Sequence, residues 1–219
     1  MNDVLSLVAG PGKAAQPLDL LTALTFFAVI PFVLITTTSF VRIVVVLGLM
    51  RQALGTPSLP PNAVLTGISL VLTFVVMSPT MAAISHDAVG PYLSGKMDRR
   101  GAVEHGEVPL RRFMLRQTRR SDLELFARIN HRETSSDDRL PFEVVTPAFV
   151  VGELRSAFTI GFALYLPFLA IDLAVASILM GLGMMMLSPT VVSLPAKLLL
   201  FVMVDGWAVV LGGVAESFR

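Results

Sequence analysis

Four charged residues lie inside long apolar stretches of the sequence, and they are the first candidates for chemistry. They are Arg42, Asp172, Lys197 and Asp205. A charge at membrane depth is costly, so it is expected to face protein, water or a partner rather than lipid. Proton transport or intramembrane proteolysis would require buried titratable groups of this kind.

The spacing of these charges along their helices argues against pairing within one helical hairpin. If the turn lies near residues 187–189, Asp172 lies roughly 22 Å along one arm and Asp205 roughly 24 Å along the other. Lys197 lies only about 12 Å along its arm, opposite neither acid. We therefore expect the partners of these charges to come from another helix pair or from subunit interfaces. The alternative is that kinks carry them to water at the helix ends.

Other signatures of enzyme chemistry are missing from the sequence. It contains no Gly-x-Ser-x-Gly, no phosphate-binding loop and no HExxH motif. There is no cysteine, which excludes disulfides and thiolate metal sites. The spacings of His86, His105 and His131 suggest no metal site. We expect no enzymatic activity, no catalytic residues, no cofactor and no metal.

A run of three methionines lies between two apolar segments and is bordered by glycine and proline. Helix-breaking residues at this density predict a turn or hinge. Adjacent side chains on a helix are about 100° apart, so three consecutive methionines act together only from a loop or from several copies of the chain. The residues alone favour core or lipid packing. The run is Met184, Met185 and Met186, and the candidate turn residues are Gly181, Gly183 and Pro189.

The composition predicts an all-α integral membrane protein with one polar insert. The 219 residues are 54% hydrophobic and 15% charged, with a mean hydropathy of +0.74. Residues 86–155 contain 12 of the 17 Lys and Arg and 11 of the 16 Asp and Glu. A formal net charge of +1 gives no reason to expect a nucleic-acid partner.

Hydropathy divides the chain into an N-terminal segment, two long helical hairpins and the insert between them. The boundaries are 1–17 for the N-terminal segment, 18–85 for the first hairpin, 86–153 for the insert and 154–219 for the second hairpin with the methionine-rich turn. Pro31 is a candidate break in the first hairpin. The first residues do not form a complete secretory signal, because they lack a positive start and a long apolar run.

The insert is predicted to be largely helical. Apolar spacings of three and four over residues 110–129 indicate one or two amphipathic helices with arginines on the wet face. Its arginine-rich run, RRFMLRQTRR, is also compatible with anionic lipid headgroups. The acids nearby favour a solvated surface instead.

Three stretches together resemble the FliP family of flagellar type III export-gate proteins. They are TSFVRIVVVLGLMRQALGTPSLPPNAVL (38–65), LRRFMLRQTRRSDLELFAR (110–128) and IDLAVASILMGLGMMMLSPTVVSLPAKLLLFVMVDGW (171–207). The resemblance covers nearly the whole chain after about residue 20, with the segments in the same order. The insert and the ending DGWAVVLGGVAESF are more similar to the flagellar branch than to the SctR group of virulence injectisomes.

The resemblance implies a multi-pass protein of the bacterial inner membrane that forms a homopentamer in the flagellar basal body. Its partners would be FliQ-like and FliR-like gate subunits, FlhB- and FlhA-like export components, membrane lipid, and the unfolded proteins that pass through the pore. The resemblance implies that Met184, Met185 and Met186 seal the pore between substrates, which reverses the preference for simple packing. It also places the insert on the external side.

Three other functions compete with an export gate. The same role in an SctR-like injectisome is the nearest. A small-solute or proton-coupled transporter should show inverted repeats and a midplane binding site, and the sequence shows neither. An intramembrane enzyme lacks a recognisable nucleophile and base.

Overall fold

The computed structural model describes residues 17–56, 58–131, 140–184 and 186–218. Every regular element in these ranges is helical, which confirms the predicted all-α class. The helices are α1 (Pro17–Thr37), α2 (Phe40–Ala53), α3 (Asn62–Ile84), a π-helical turn (Ser85–Val89), α4 (Gly90–Leu93), α5 (Arg99–Gln117), α6 (Arg120–Ile129), α7 (Phe142–Gly181), α8 (Pro189–Met203) and α9 (Gly206–Glu216).

Helix α2 is the centre of the main hydrophobic core. Ile43, Val46 and Leu47 are fully buried, at spacings of three and four that place them on adjoining faces of the helix. Helix α7 packs closely against α2, and Gly161 makes this approach possible because a Cβ there would collide with Leu49. The position of α2 between the other helices therefore brings Arg42, near the start of the helix, into the protein interior.

The first apolar segment bends after its threonines rather than at its proline. Helix α1 runs through Pro31, so the expected break there is wrong. The axes of α1 and α2 differ by 81° across a break at residues 38–39. The hydroxyls of Thr36, Thr37 and Thr38 all donate to backbone carbonyls four residues earlier. Such bonds tend to bend helices, which explains the bend at this place.

The insert forms two helices, α5 and α6, which pack on the first turns of α7 around a second core. Met114, Ala127 and Phe149 are fully buried there. Helix α7 begins at Phe142, so residues 142–153 belong to the long helix and not to a separate polar region. Their apolar run, VVTPAFVVG, extends the helix.

Two helical stretches in the described residues are long and apolar enough to cross a membrane. They are Asn62–Leu93, which includes α3, and Phe142–Gly181. Two bent pairs also qualify if each is counted as one span: α1 with α2, and α8 with α9, which are bent by 65°. The second bend lies at Val204–Asp205, inside the predicted second hairpin, 154–219. The chain is an all-α membrane protein.

Candidate functional site: buried ion pairs and the methionine turn

Arg42 lies at the junction of α2, α5, α7 and the residues after α9. Its Nε and Nη2 donate to the two carboxylate oxygens of Glu153 at 3.0 and 2.5 Å. Nη1 donates to the carbonyl and hydroxyl of Ser217 at 2.8 and 3.0 Å, and Nη2 also donates to Gln117 Oε1 at 3.1 Å. The guanidinium lies 3.8 Å from the centre of the Phe218 ring.

These contacts use all the hydrogen-bonding capacity of the guanidinium. An arginine has five N–H donors, and five acceptor contacts surround Arg42. The Arg42 and Glu153 side chains are 3% and 0% exposed. Arg42 faces protein, as expected, but its partner belongs to the same chain and not to another subunit. A bidentate pair of this kind holds α2 and α7 in a fixed register.

Glu153 is not among the four predicted charges, because its place at the end of the polar insert gave no reason to expect burial. Its apolar neighbours, in the run PAFVVGEL, were the available signal. A second bidentate pair lies nearby, where Arg155 donates to both oxygens of Asp122 at 2.6 and 2.9 Å. The hydrogen bond from Arg155 lowers the pKa of Asp122 below its ordinary value, although burial opposes the shift. This pair joins α6 to α7.

Lys197 of α8 pairs with Asp172 of α7 inside one helical hairpin. Lys197 Nζ lies 2.6 Å from Asp172 Oδ2 and also donates to the Ala53 carbonyl at 3.2 Å. Ser193 donates to the other carboxylate oxygen of Asp172 at 2.5 Å. The Lys197 side chain is 3% exposed. Because Ala53 is the last residue of α2, the ammonium also lies at the negative end of that helix dipole.

The expectation that Lys197 meets no acid of its own hairpin is therefore wrong. It placed the turn at one point near residue 188, whereas α7 already ends at Gly181 and α8 begins at Pro189. Asp172 lies nine residues before Gly181, the end of α7, and Lys197 lies eight residues after Pro189, the start of α8. At about 1.5 Å per residue, each lies about 12–14 Å from its own helix end, so the two are level.

Asp205 differs from the other three charges. It is exposed and has a left-handed backbone with φ of 50° at the break before α9. Within the described residues its carboxylate forms no ion pair and caps no helix end. The side chains of its neighbours Val202 and Met203 are 74% and 75% exposed. Among the four predicted charges, Asp205 alone is left for a partner outside the chain.

The methionine turn is a defined loop closed by glycine. Gly183 has φ of 71°, and its N–H donates to the Met180 carbonyl, while the Met184 N–H donates to the Leu179 carbonyl at 2.9 Å. This is a Schellman ending, in which glycine is favoured because φ is positive. Gly181 is the last residue of α7 and Pro189 the first of α8, where proline is favoured.

The methionine side chains that the structure describes lie outside the core. Met184 is 48% exposed and Met186 is fully exposed. Met185 lies outside the described residues. No cluster of three or more metal-ligating side chains occurs in the part of the chain that the structure describes. The turn therefore presents soft apolar side chains and no ligand set.

Comparison with known proteins shows to which family this chain is similar. Residues 23–214 match the model of the FliP family. The chain is 51% identical over 206 residues to the flagellar biosynthetic protein FliP of Pectobacterium carotovorum, covering 94% of this chain and 79% of the relative. It is 43% identical over 223 residues to the same-named protein of Bacillus subtilis, covering the whole of both chains.

The helical membrane fold and these matches define a membrane-associated protein of flagellar export. The chain belongs to the FliP family. The family predicted from the residues is thereby confirmed.

Proposed function

We propose that this chain is a pore-forming subunit of the flagellar type III protein export gate. Several copies, five by resemblance to the family, surround a passage for unfolded flagellar proteins across the bacterial inner membrane. FliQ-like and FliR-like subunits complete the gate, and FlhA- and FlhB-like components supply substrates. Family membership supports this function, since the relatives are named as flagellar biosynthetic proteins.

The exposed methionine turn carries the proposal. A packing role within one chain would bury these side chains, yet Met186 is fully exposed and Met184 about half exposed. The turn is held at the end of two helices that the Lys197–Asp172 pair fixes to each other. A rigid hairpin with a soft apolar end is suited to contacts among copies of the chain around a shared axis.

The physical chemistry of methionine fits a seal that opens for a protein chain. A ring of polar side chains would hold water and conduct ions, whereas a narrow apolar constriction closes a pore by dewetting. Methionine is flexible and polarizable, so its side chain can re-pack around substrates of different shape. We propose that Met184, Met185 and Met186 from all copies form this constriction, and that Gly181, Gly183 and Pro189 shape or hinge the turn.

The helix surfaces support assembly with neighbours. Large apolar side chains on α3, α7 and α8 are exposed in the single chain, including Phe74 at 72%, Phe162 at 66% and Leu199 at 62%. Continuous apolar surfaces of this kind are covered by lipid or by protein partners. We propose that Asp205 meets a cation of a neighbouring subunit. Arg42, Asp172 and Lys197 brace the helices that form the interface.

Leakage of small solutes tests the seal. Replacing Met184, Met185 and Met186 together by alanine shortens the apolar side chains and leaves the turn backbone intact. We expect complexes to form and secretion to persist, while cells become permeable to ions and small solutes because the constriction no longer dries. The measurement is solute uptake at matched levels of complex.

A matched control replaces Met180 and Met203 by alanine, since both are exposed methionines outside the turn, at 61% and 75%. This variant should remain as tight as the unaltered gate. If the triple variant leaked no more than this control, the methionines would be ordinary packing residues.

A further inference from the structure

A groove of about 450 Å³ lies between α3, α5 and the end of α9 with the residues that follow it. One wall is apolar and belongs to the second half of α3. The other wall belongs to α5 and carries two arginines, Arg112 and Arg116, one helical turn apart. The arginine-rich run of the insert therefore faces a membrane-spanning helix with two of its cations.

These two arginines have no partner within the described residues, unlike several of the arginines around them. Arg111, between α5 and the start of α7, donates to the Leu140 carbonyl and to Glu107. The exposed Arg100 and Arg120 each pair with a glutamate four residues later. Arg112 and Arg116 form no hydrogen bond or ion pair within the described residues.

The apolar wall offers these cations no acid. It is formed by Val75, Val76, Pro79, Thr80 and Ala83, and the sequence from Ala63 to Ser85 contains no charge. Helix α5 runs back along α3 from its far end, because Gly106 packs against Ile84 and Ala88. The arginines thus lie beside the charge-free helix and not beyond it. Both side chains are exposed in the single chain, so they are open to an anionic ligand.

We propose that this groove binds one anionic phospholipid, with its phosphate on Arg112 and Arg116 and an acyl chain against α3. Guanidinium groups recognise phosphate through several hydrogen bonds at once. The apolar wall accepts the hydrocarbon that a free phosphate lacks. Glu216 also lines the groove. The side chains that line the groove therefore carry a net charge of +1, from two arginines and one glutamate.

Phe113 and Phe218 connect the groove to the Arg42 cluster. Both rings line the groove and stack on each other with centroids 6.3 Å apart, and Phe218 also covers the Arg42 guanidinium. A bound lipid would therefore press on the aromatic cover of Arg42 and stabilise the junction of α2, α5 and α7. This site is separate from the proposed passage and does not rest on it.

Native mass spectrometry of the detergent-purified full chain tests the site. Phosphatidylglycerol and phosphatidylcholine with identical acyl chains are added in turn, so that only the headgroup charge differs. We expect the unaltered chain to retain phosphatidylglycerol selectively. The double substitution Arg112→Gln and Arg116→Gln should weaken that binding by roughly 30-fold, since each basic residue contributes roughly 5- to 6-fold.

The control is Arg120→Gln with Arg128→Gln, which removes the same charge from exposed positions of α6 outside the groove and should retain the selectivity. Val76→Trp fills the space beside the apolar wall and keeps both arginines, so it should weaken the binding of both lipids. Equal lipid selectivity in the two double variants would overturn the proposal. Competition by glycerophosphate would indicate a free-anion site and also overturn it. The proposal would also be overturned if the Arg112 and Arg116 double variant lost its oligomer but kept its lipid binding, because the groove would then be a contact between copies of the chain.

Discussion

At the scale of single residues, the costly charges of the apolar segments are matched inside the chain. Arg42 finds Glu153 on a helix 111 residues away, and Lys197 finds Asp172 across the turn. Hydropathy predicted that these cations would be buried. It could not identify their partners, because partner choice depends on helix packing and not on sequence spacing. Asp205, without a partner in the described chain, stays a prediction for a subunit contact.

Lys197→Met should strongly destabilise the chain, because it leaves the Asp172 carboxylate in an apolar hairpin without its cation. Removing one partner of a buried pair typically costs about 3–5 kcal/mol. Adding Asp172→Leu removes the second charge and should restore much of that stability. The measurement is the unfolding free energy of each variant in detergent, combined as a double-mutant cycle.

An exposed pair provides the matched control. Arg120→Met removes a cation from the Arg120–Glu124 pair, whose side chains are 75% and 50% exposed. It should cost less than about 1 kcal/mol. Strictly additive effects of Lys197→Met and Asp172→Leu would show that the two residues do not stabilise each other in the folded chain.

At the scale of helices, the connection between α7 and α8 decides which side chains meet. Because α7 ends at Gly181 and α8 begins only at Pro189, Asp172 and Lys197 lie at one level, while a sharper turn would separate them by roughly 10 Å. Gly183 begins that connection with a left-handed backbone. The structure of the turn and the pairing of the charges are therefore linked.

Gly183→Ala should weaken the hairpin by roughly 1 kcal/mol, because a residue with a Cβ is strained at positive φ. Gly181→Ala is the matched control two residues earlier. Gly181 lies in the helix with no atom within 4 Å of a new Cβ, so alanine there should be neutral or slightly stabilising. Thermal unfolding of the two variants in detergent compares them directly. A larger loss of thermal stability in Gly181→Ala than in Gly183→Ala would contradict the Schellman ending.

The helices also show which structural features the sequence could and could not predict. Long apolar runs and the 3.6-residue pattern of the insert correctly predicted helices and two amphipathic elements. The breaks at 38–39 and at Val204–Asp205 were missed, since neither contains proline or glycine at the bend itself. Pro31 was expected to break α1, yet the helix continues through it.

At the scale of the whole molecule, a single chain leaves large apolar surfaces uncovered. Its core is concentrated around α2 and around the start of α7, while the outer faces of α3, α7, α8 and α9 remain apolar and exposed. The same surfaces that make the chain a membrane protein allow it to assemble with neighbours. We propose that the exposed methionine turn functions when several copies of the chain bring it together.

Site-specific disulfide formation tests that claim most directly, because the chain contains no cysteine. Met186→Cys then introduces the single thiol in the chain, at the fully exposed tip of the turn. In assembled gates we expect it to cross-link neighbouring copies when no substrate is present. With an export substrate stalled in the gate, we expect it to cross-link instead to a cysteine in that substrate.

The control is Met203→Cys, which is also exposed but lies at the other end of α8. It should cross-link neither to the stalled substrate nor to the same position in another copy. Cross-linking of the substrate at Met186→Cys and not at Met203→Cys is the result that a methionine seal around the passage predicts. Absence of any substrate cross-link at Met186→Cys, in gates that still secrete, would contradict it.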